Sequence, residues 1–170
     1  MTSTWPKEKI MDLLSSAFAP QLARSPRPHL TEPPTPTIDV LITFDAHGIS
    51  SHPNHISLYY GARHFISSLT GNNPGWQCPV NLYILTSTNI LRKYSSCLDA
   101  LISMGLVFFQ RKSKGNYPSS LFFISGPKEL RTAQQAMTNA HVSQMKWFRW
   151  GWIWLSRYMV VNDLKLDKVS

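Results

Sequence analysis

Two histidines three positions apart, His52 and His55, are the residues of this chain best suited to chemistry. They close the segment Asp45-Ala-His-Gly-Ile-Ser-Ser-His-Pro-Asn-His55. Imidazole changes charge near neutral pH, ligates divalent metals through a neutral ring nitrogen, and transfers protons in hydrolysis. At helical spacing the two rings lie about one turn apart and reach a common point. A hydrolytic zinc centre takes three protein ligands and keeps a position for water. The pair alone supplies fewer than that, and helix-capping or surface histidines share the same spacing.

The elements around the pair set where it sits. Ile38 to Phe44 is an apolar run that reads as a buried strand, and a helix starts near Pro53. Proline suits a first helical position because the N–H it lacks would be unpaired there anyway. The histidines thus occupy a strand-to-helix junction, and the carboxyl ends of strands in open α/β sheets are where ligands collect. Asp45, at the strand end, has two open readings: an acceptor that orients a histidine, or the first residue of an Asx turn before Gly48. His47 reads as a surface residue, Asn54 as a cap or an orienting group in the loop, and His64 as structural.

Elsewhere, Lys7 to Leu22 carries Ile10, Leu13, Leu14, Ala17 and Phe18 at helical spacing. Residues Ser25 to Thr37, with five prolines, read as a loop. The helix from Pro53 is expected to reach Leu69, and Thr70 to Gln77 to form a turn. Val80 to Leu85 and Leu121 to Ser125 read as strands. Helices are expected over Asn89–Leu101, Pro127–Ala140 and, last, from about Ser143 to Asn162. Arg111 to Ser119 reads as a basic loop. Alternating strands and helices place the chain in the α/β class with a largely parallel sheet.

The phrase Leu41-Ile-Thr-Phe-Asp-Ala-His-Gly-Ile-Ser-Ser-His-Pro-Asn-His-Ile-Ser-Leu-Tyr59 closely resembles the second motif of the N-acetylglucosaminylphosphatidylinositol de-N-acetylases, within the zinc-dependent GlcNAc de-N-acetylase superfamily. Asn89-Ile-Leu-Arg-Lys-Tyr-Ser95 is a further match. So is the series Thr132-Ala-Gln-Gln-Ala-Met, Ala140-His-Val-Ser-Gln-Met-Lys-Trp-Phe-Arg149 and Leu155-Ser-Arg-Tyr-Met159. These stand in the family's order, so the resemblance runs from about Ile38 onward, and the ending looks fungal. The family's first motif, His-Pro-Asp-Asp-Glu, has no counterpart, because the sequence contains no Asp-Asp pair.

The resemblance implies a Rossmann-like three-layer sandwich, here without its N-terminal strand. Residues 1–170 would be the C-terminal portion of a single de-N-acetylase domain that starts inside the family pattern. It implies hydrolysis of the N-acetyl amide of N-acetylglucosaminylphosphatidylinositol in glycosylphosphatidylinositol anchor synthesis, on the cytoplasmic face of the endoplasmic reticulum membrane. The cofactor would be a divalent metal, Zn2+, with His55 as its ligand. His52 would be the second histidine, steadying the tetrahedral intermediate or protonating the amine. The remaining ligands and the general base belong to the missing motif, so the chain alone is expected to be inactive. The alternative is a non-catalytic fragment that binds membranes or the intact enzyme. His141 matches a family position and either faces the site or binds a helix end.

The segment Trp147-Phe-Arg-Trp-Gly-Trp-Ile-Trp-Leu155 interleaves tryptophans with Lys146, Arg149 and Arg157. Trp147, Arg149, Trp150 and Trp154 are expected to face a membrane surface or the lipid substrate, since tryptophan and basic residues together favour an interface. The other reading is a core helix packed on the sheet. No RNA-binding motif accompanies the aromatics, so nucleic acid is not an expected partner.

Composition sets the outer limits. A chain of 170 residues that is 43% hydrophobic can bury a moderate core. The net charge of +8 favours an anionic partner. Cys78 and Cys97 form no disulfide framework and no paired metal motif, which fits free thiols in a reducing compartment. No apolar run reaches the roughly 20 residues of a membrane span.

Overall fold

The computed structural model describes residues 4–23, 32–71, 75–109, 118–140 and 142–169. The elements are α1 (Lys7–Phe18), α2 (Pro20–Ala23), β1 (Val40–Phe44), α3 (Gly48–Ser51), α4 (Pro53–Thr70), β2 (Asn81–Leu85), α5 (Ile90–Lys93), α6 (Cys97–Phe109), β3 (Ser120–Ile124), α7 (Pro127–Ala140), α8 (Trp147–Leu155) and β4 (Val161–Asp167). Single 3-10 turns cover Val142–Gln144 and Arg157–Met159. The class is α/β, with one four-stranded sheet in the order β1-β2-β4-β3. The chain forms two compact units, residues 1–87 with 165–170, and residues 88–164.

In the first unit, β1 and β2 pair in parallel, Val40 opposite Asn81 and Phe44 opposite Leu85. Phe65, Ile66 and Leu69 of α4 form the core with Val80 and Leu82, and Leu14 and Phe18 of α1 pack against it. Gly61 lets α1 lie directly on α4: a Cβ there would fall 2.4 Å from Ile10. The N–H of Trp5 donates to Ser57 Oγ at 3.0 Å, and Ser57 Oγ donates to the Pro53 carbonyl at 2.9 Å. The chain entering α1 is thereby tied to the first turn of α4, the turn that carries His55. Gly71, at φ +56, ends α4 and returns its N–H to the Ser67 carbonyl.

In the second unit, Ile153, Met159, Val160 and Val161 form a core with Phe122, Leu130 and Met137 packed on it. Beside it lies a buried charge network. Asp99, fully buried, accepts from Arg92 and from the equally buried Arg157. Arg157 also donates to Asp163 at 2.7 Å and to Ser103 at 3.1 Å.

Three expectations need correction. The expected helix over Lys7–Leu22 breaks at Ala19, whose φ of −144° is extended because Pro20 disfavours a helical residue before it. The expected helix over Asn89–Leu101 is two helices, parted at Tyr94–Ser96, where Ser96 has φ +45°. The expected last helix over Ser143–Asn162 holds only from Trp147 to Leu155; a 3-10 turn over Arg157–Met159 follows, and strand β4 starts at Val161. Val161, the first residue of β4, is β-branched and fully buried, so it gains more from sheet pairing than from extending the helix. The basic loop falls mostly on residues 110–117, outside those described.

Candidate functional site

The parallel register of β1 and β2 brings both strands to an end on one edge, with Phe44 opposite Leu85. Asp45 and Ser87 follow there, and they bond. The Asp45 carboxylate accepts from the Ser87 N–H at 2.7 Å and from the Ser87 hydroxyl at 2.7 Å. It also accepts from the N–H groups of His47 at 3.1 Å and Gly48 at 3.0 Å. Of the two readings left open by sequence, this is the Asx turn. The carboxylate is spent on backbone donors and a serine, which satisfies a group that is 8% exposed.

The turn it holds is tight. Gly48, Ile49 and Ser51 all have positive φ, at +60°, +64° and +56°. For a β-branched residue such as Ile49 this is a rare conformation. It is fixed here by the Ile49 N–H donating to Ser87 Oγ at 2.9 Å. Gly48 is needed on two counts. Its φ suits glycine, and a Cβ would meet Ile56 Cγ1 at 2.9 Å and His55 Cβ at 3.1 Å. The turn therefore presses its backbone against the start of α4.

That approach positions His55. Its Nδ1 lies 3.1 Å from the Gly48 carbonyl. A carbonyl can only accept, so Nδ1 carries a hydrogen, and in the neutral ring Nε2 keeps its lone pair. The ring stacks on Phe44, centroids 3.8 Å apart and planes within 11°. Its plane and its tautomer are both set. His52 has the opposite arrangement. It is the N-cap of α4, and its Nδ1 accepts from the Asn54 N–H at 3.3 Å. An N–H can only donate, so in the neutral ring the hydrogen is on Nε2. The two rings are 4.9 Å apart between centroids. One histidine thus offers a lone pair and its neighbour an N–H, both within the first turn of one helix.

The Asn54 side chain, between them in sequence, has a buried Oδ1 without a hydrogen-bond partner among the described residues. His47 is exposed and precedes α3, and His64 is half-buried on α4. Among the described residues no group of three or more His, Cys, Asp or Glu is arranged to hold a metal ion. His141 lies outside the described residues. Sequence reasoning missed Ser87, which is remote in sequence and carries no motif signal, and missed the Gly48 carbonyl as the group that fixes His55.

In the second unit, α8 turns its aromatics outward. Trp147 is 87% exposed, Trp154 66% and Trp150 49%, while Ile153 is buried. Arg149 is half-buried. The reading of this segment as a core helix does not hold for these three tryptophans, since only Ile153 and, partly, Trp152 face the core.

No family model matches the chain, and no solved structure matches it significantly. Curated proteins do. The chain is 44% identical, over 99% of its length, to the N-acetylglucosaminyl-phosphatidylinositol de-N-acetylase of Arthroderma benhamiae, of which it covers 57%. It is 34% identical to the protein of that name from Bos taurus, over 75% of this chain and 44% of the other. Against the one from Saccharomyces cerevisiae it is 29% identical, over 73% of this chain and 45% of the other. The chain spans about half the length of the curated relatives it matches.

Proposed function

We propose that this chain, homologous over almost its whole length to N-acetylglucosaminyl-phosphatidylinositol de-N-acetylases, contributes the paired histidines of such an amidohydrolase site. The observation that carries the reading is the opposed tautomers of His52 and His55. Hydrolysis of an N-acetyl sugar adds water to the amide carbonyl and breaks the C–N bond, giving acetate and a free amine. Negative charge gathers on the carbonyl oxygen, and the amine must gain a proton before it leaves. His52, with its hydrogen on Nε2, is suited to donate a hydrogen bond to that oxygen; to give the leaving amine its proton it would act as imidazolium, with Nδ1 also protonated and its contact with the Asn54 N–H given up.

His55 is the residue that would hold a divalent metal, Zn2+ by the family resemblance. Its ring meets the usual requirement of a histidine ligand, one nitrogen free and the other donating to a backbone carbonyl. Zinc, when bound, supplies Lewis acidity and an activated water. The described residues supply only part of a three-ligand set, and Asp45, whose Oδ1 accepts three hydrogen bonds and whose Oδ2 accepts one, would make any further contact through Oδ2. His141 remains a proposed site residue on the family resemblance alone.

The proposed substrate is the glycolipid that gives the relatives their name. A substrate anchored by its lipid tails implies a membrane surface as partner, and the proposed location is the cytoplasmic face of the endoplasmic reticulum. A second reading, a membrane-binding segment without catalysis, is favoured by the exposed tryptophans of α8. One experiment separates the two. Acetate release from the glycolipid by the chain joined to a segment that supplies the His-Pro-Asp-Asp-Glu motif, lost on His55→Ala and lowered on His52→Asn, supports the first. Vesicle binding without acetate release supports the second.

A further inference from the structure

We propose that α8 is an in-plane docking helix that seats its tryptophan face in the headgroup region of an anionic bilayer. The reading above supplies only the lipid nature of the substrate; the face itself is a matter of geometry. At 100° per residue, Trp150, Trp154, Trp147, Leu155 and Phe148 fall on one arc of the helix, and all are exposed, between 49% and 87%. Ile153 and Trp152 lie on the opposite arc and pack into the core of the second unit. The usual arrangement of a surface helix, apolar inward and polar outward, is absent: the outward arc bears no charged residue.

The residue types favour a bilayer over a protein partner. Three indoles on one face each bring an N–H that must find an acceptor. A dry protein interface would have to supply three, whereas the headgroup layer meets them with water and ester oxygens, which is why tryptophan concentrates at that depth. Lys146 borders the face and is exposed, Arg149 lies on the opposite arc, and the whole chain carries +8, so anionic headgroups are the complementary charge. At nine residues α8 is too short to cross a membrane, and among the described residues no helix is long and apolar enough to do so. The helix therefore lies along the surface.

The test is flotation of the 170-residue chain with phosphatidylcholine vesicles, with and without added phosphatidylserine, together with quenching of tryptophan fluorescence by brominated acyl chains. The expected result is binding that strengthens with phosphatidylserine, quenching of the native chain, and a partition coefficient about tenfold lower for each of Trp147→Ser, Trp150→Ser and Trp154→Ser. All three side chains point outward, so the triple variant keeps its fold, which circular dichroism checks. A His52→Ala and His55→Ala double variant should float as the native chain does, so failure of the catalytic reading and failure of the docking helix are read separately. Equal flotation of native and triple variant, or quenching that persists in the variant, would overturn the proposal. So would concentration-dependent dimerisation without vesicle binding, which would assign the face to a second copy of the chain.

Discussion

A single carbonyl decides what His55 can do. Gly48 presents it, and it does so only because the turn after β1 accepts three positive φ angles and lies against α4 without a Cβ at Gly48. Gly48→Ala is expected to push the turn away from Ile56 and lengthen the His55 contact. Metal affinity measured by competition with a chelating dye should fall about tenfold or more, as loss of an orienting partner commonly does. Unchanged affinity would mean that Phe44 stacking alone orients the ring. Asp45 is the other fixed point. Asp45→Asn replaces one acceptor oxygen with an NH2 facing N–H donors, and unfolding in urea should show a loss of about 1–3 kcal/mol.

At the level of elements, α1 matters to the site because it braces the helix that carries both histidines. Gly61→Ala would drive a methyl into Ile10, and the overpacking should cost about 1–3 kcal/mol by thermal denaturation. Smaller loss would show that α1 slides to make room. In the second unit the buried network ties α5, α6 and the turn after α8. Burial raises the Asp99 carboxyl, but hydrogen bonds from Arg92 and Ser103 and the charges of Arg157 and Arg92 outweigh it, so its pKa is lowered. A carboxyl held below its unfolded value adds stability above that value and loses it as pH falls through the folded pKa. Melting temperature should therefore drop on acidification below about pH 4, and Asp99→Asn should flatten that drop. At neutral pH the same variant leaves Arg157 with Asp163 as its carboxylate partner and should cost about 1–3 kcal/mol.

For the whole molecule the relevant quantity is charge. A net +8 over 170 residues gives a field that attracts anionic surfaces from solution. Vesicle binding should weaken steadily between low salt and about 1 M, where the screening length shortens to about 3 Å. The tryptophan contribution should persist, since apolar transfer is not screened. Binding that is indifferent to salt would leave the indoles as the sole attachment and the charge without a role in it.

The local facts were legible in the sequence. A strand ending at Phe44, a helix starting at Pro53 and two histidines at its start all depend on short-range pattern, and the helix over Pro127–Ala140 was readable for the same reason. The long identity with known de-N-acetylases belongs to this level too. What the fold alone decided involves groups distant in sequence. The Ser87 partner of Asp45 comes from the next parallel strand, 42 residues on. The tautomer of His55 depends on a carbonyl seven residues back, brought near by a turn whose φ angles no residue type announces except Gly48. The aromatic run after Lys146 reads as an interface, with a core helix as the other reading, because helical periodicity tells which residues share a face but not which face meets the core. Packing of Ile153 against Met159, Val160 and Val161 settled that, and β4 escaped notice because its pairing lies with strands far along the chain.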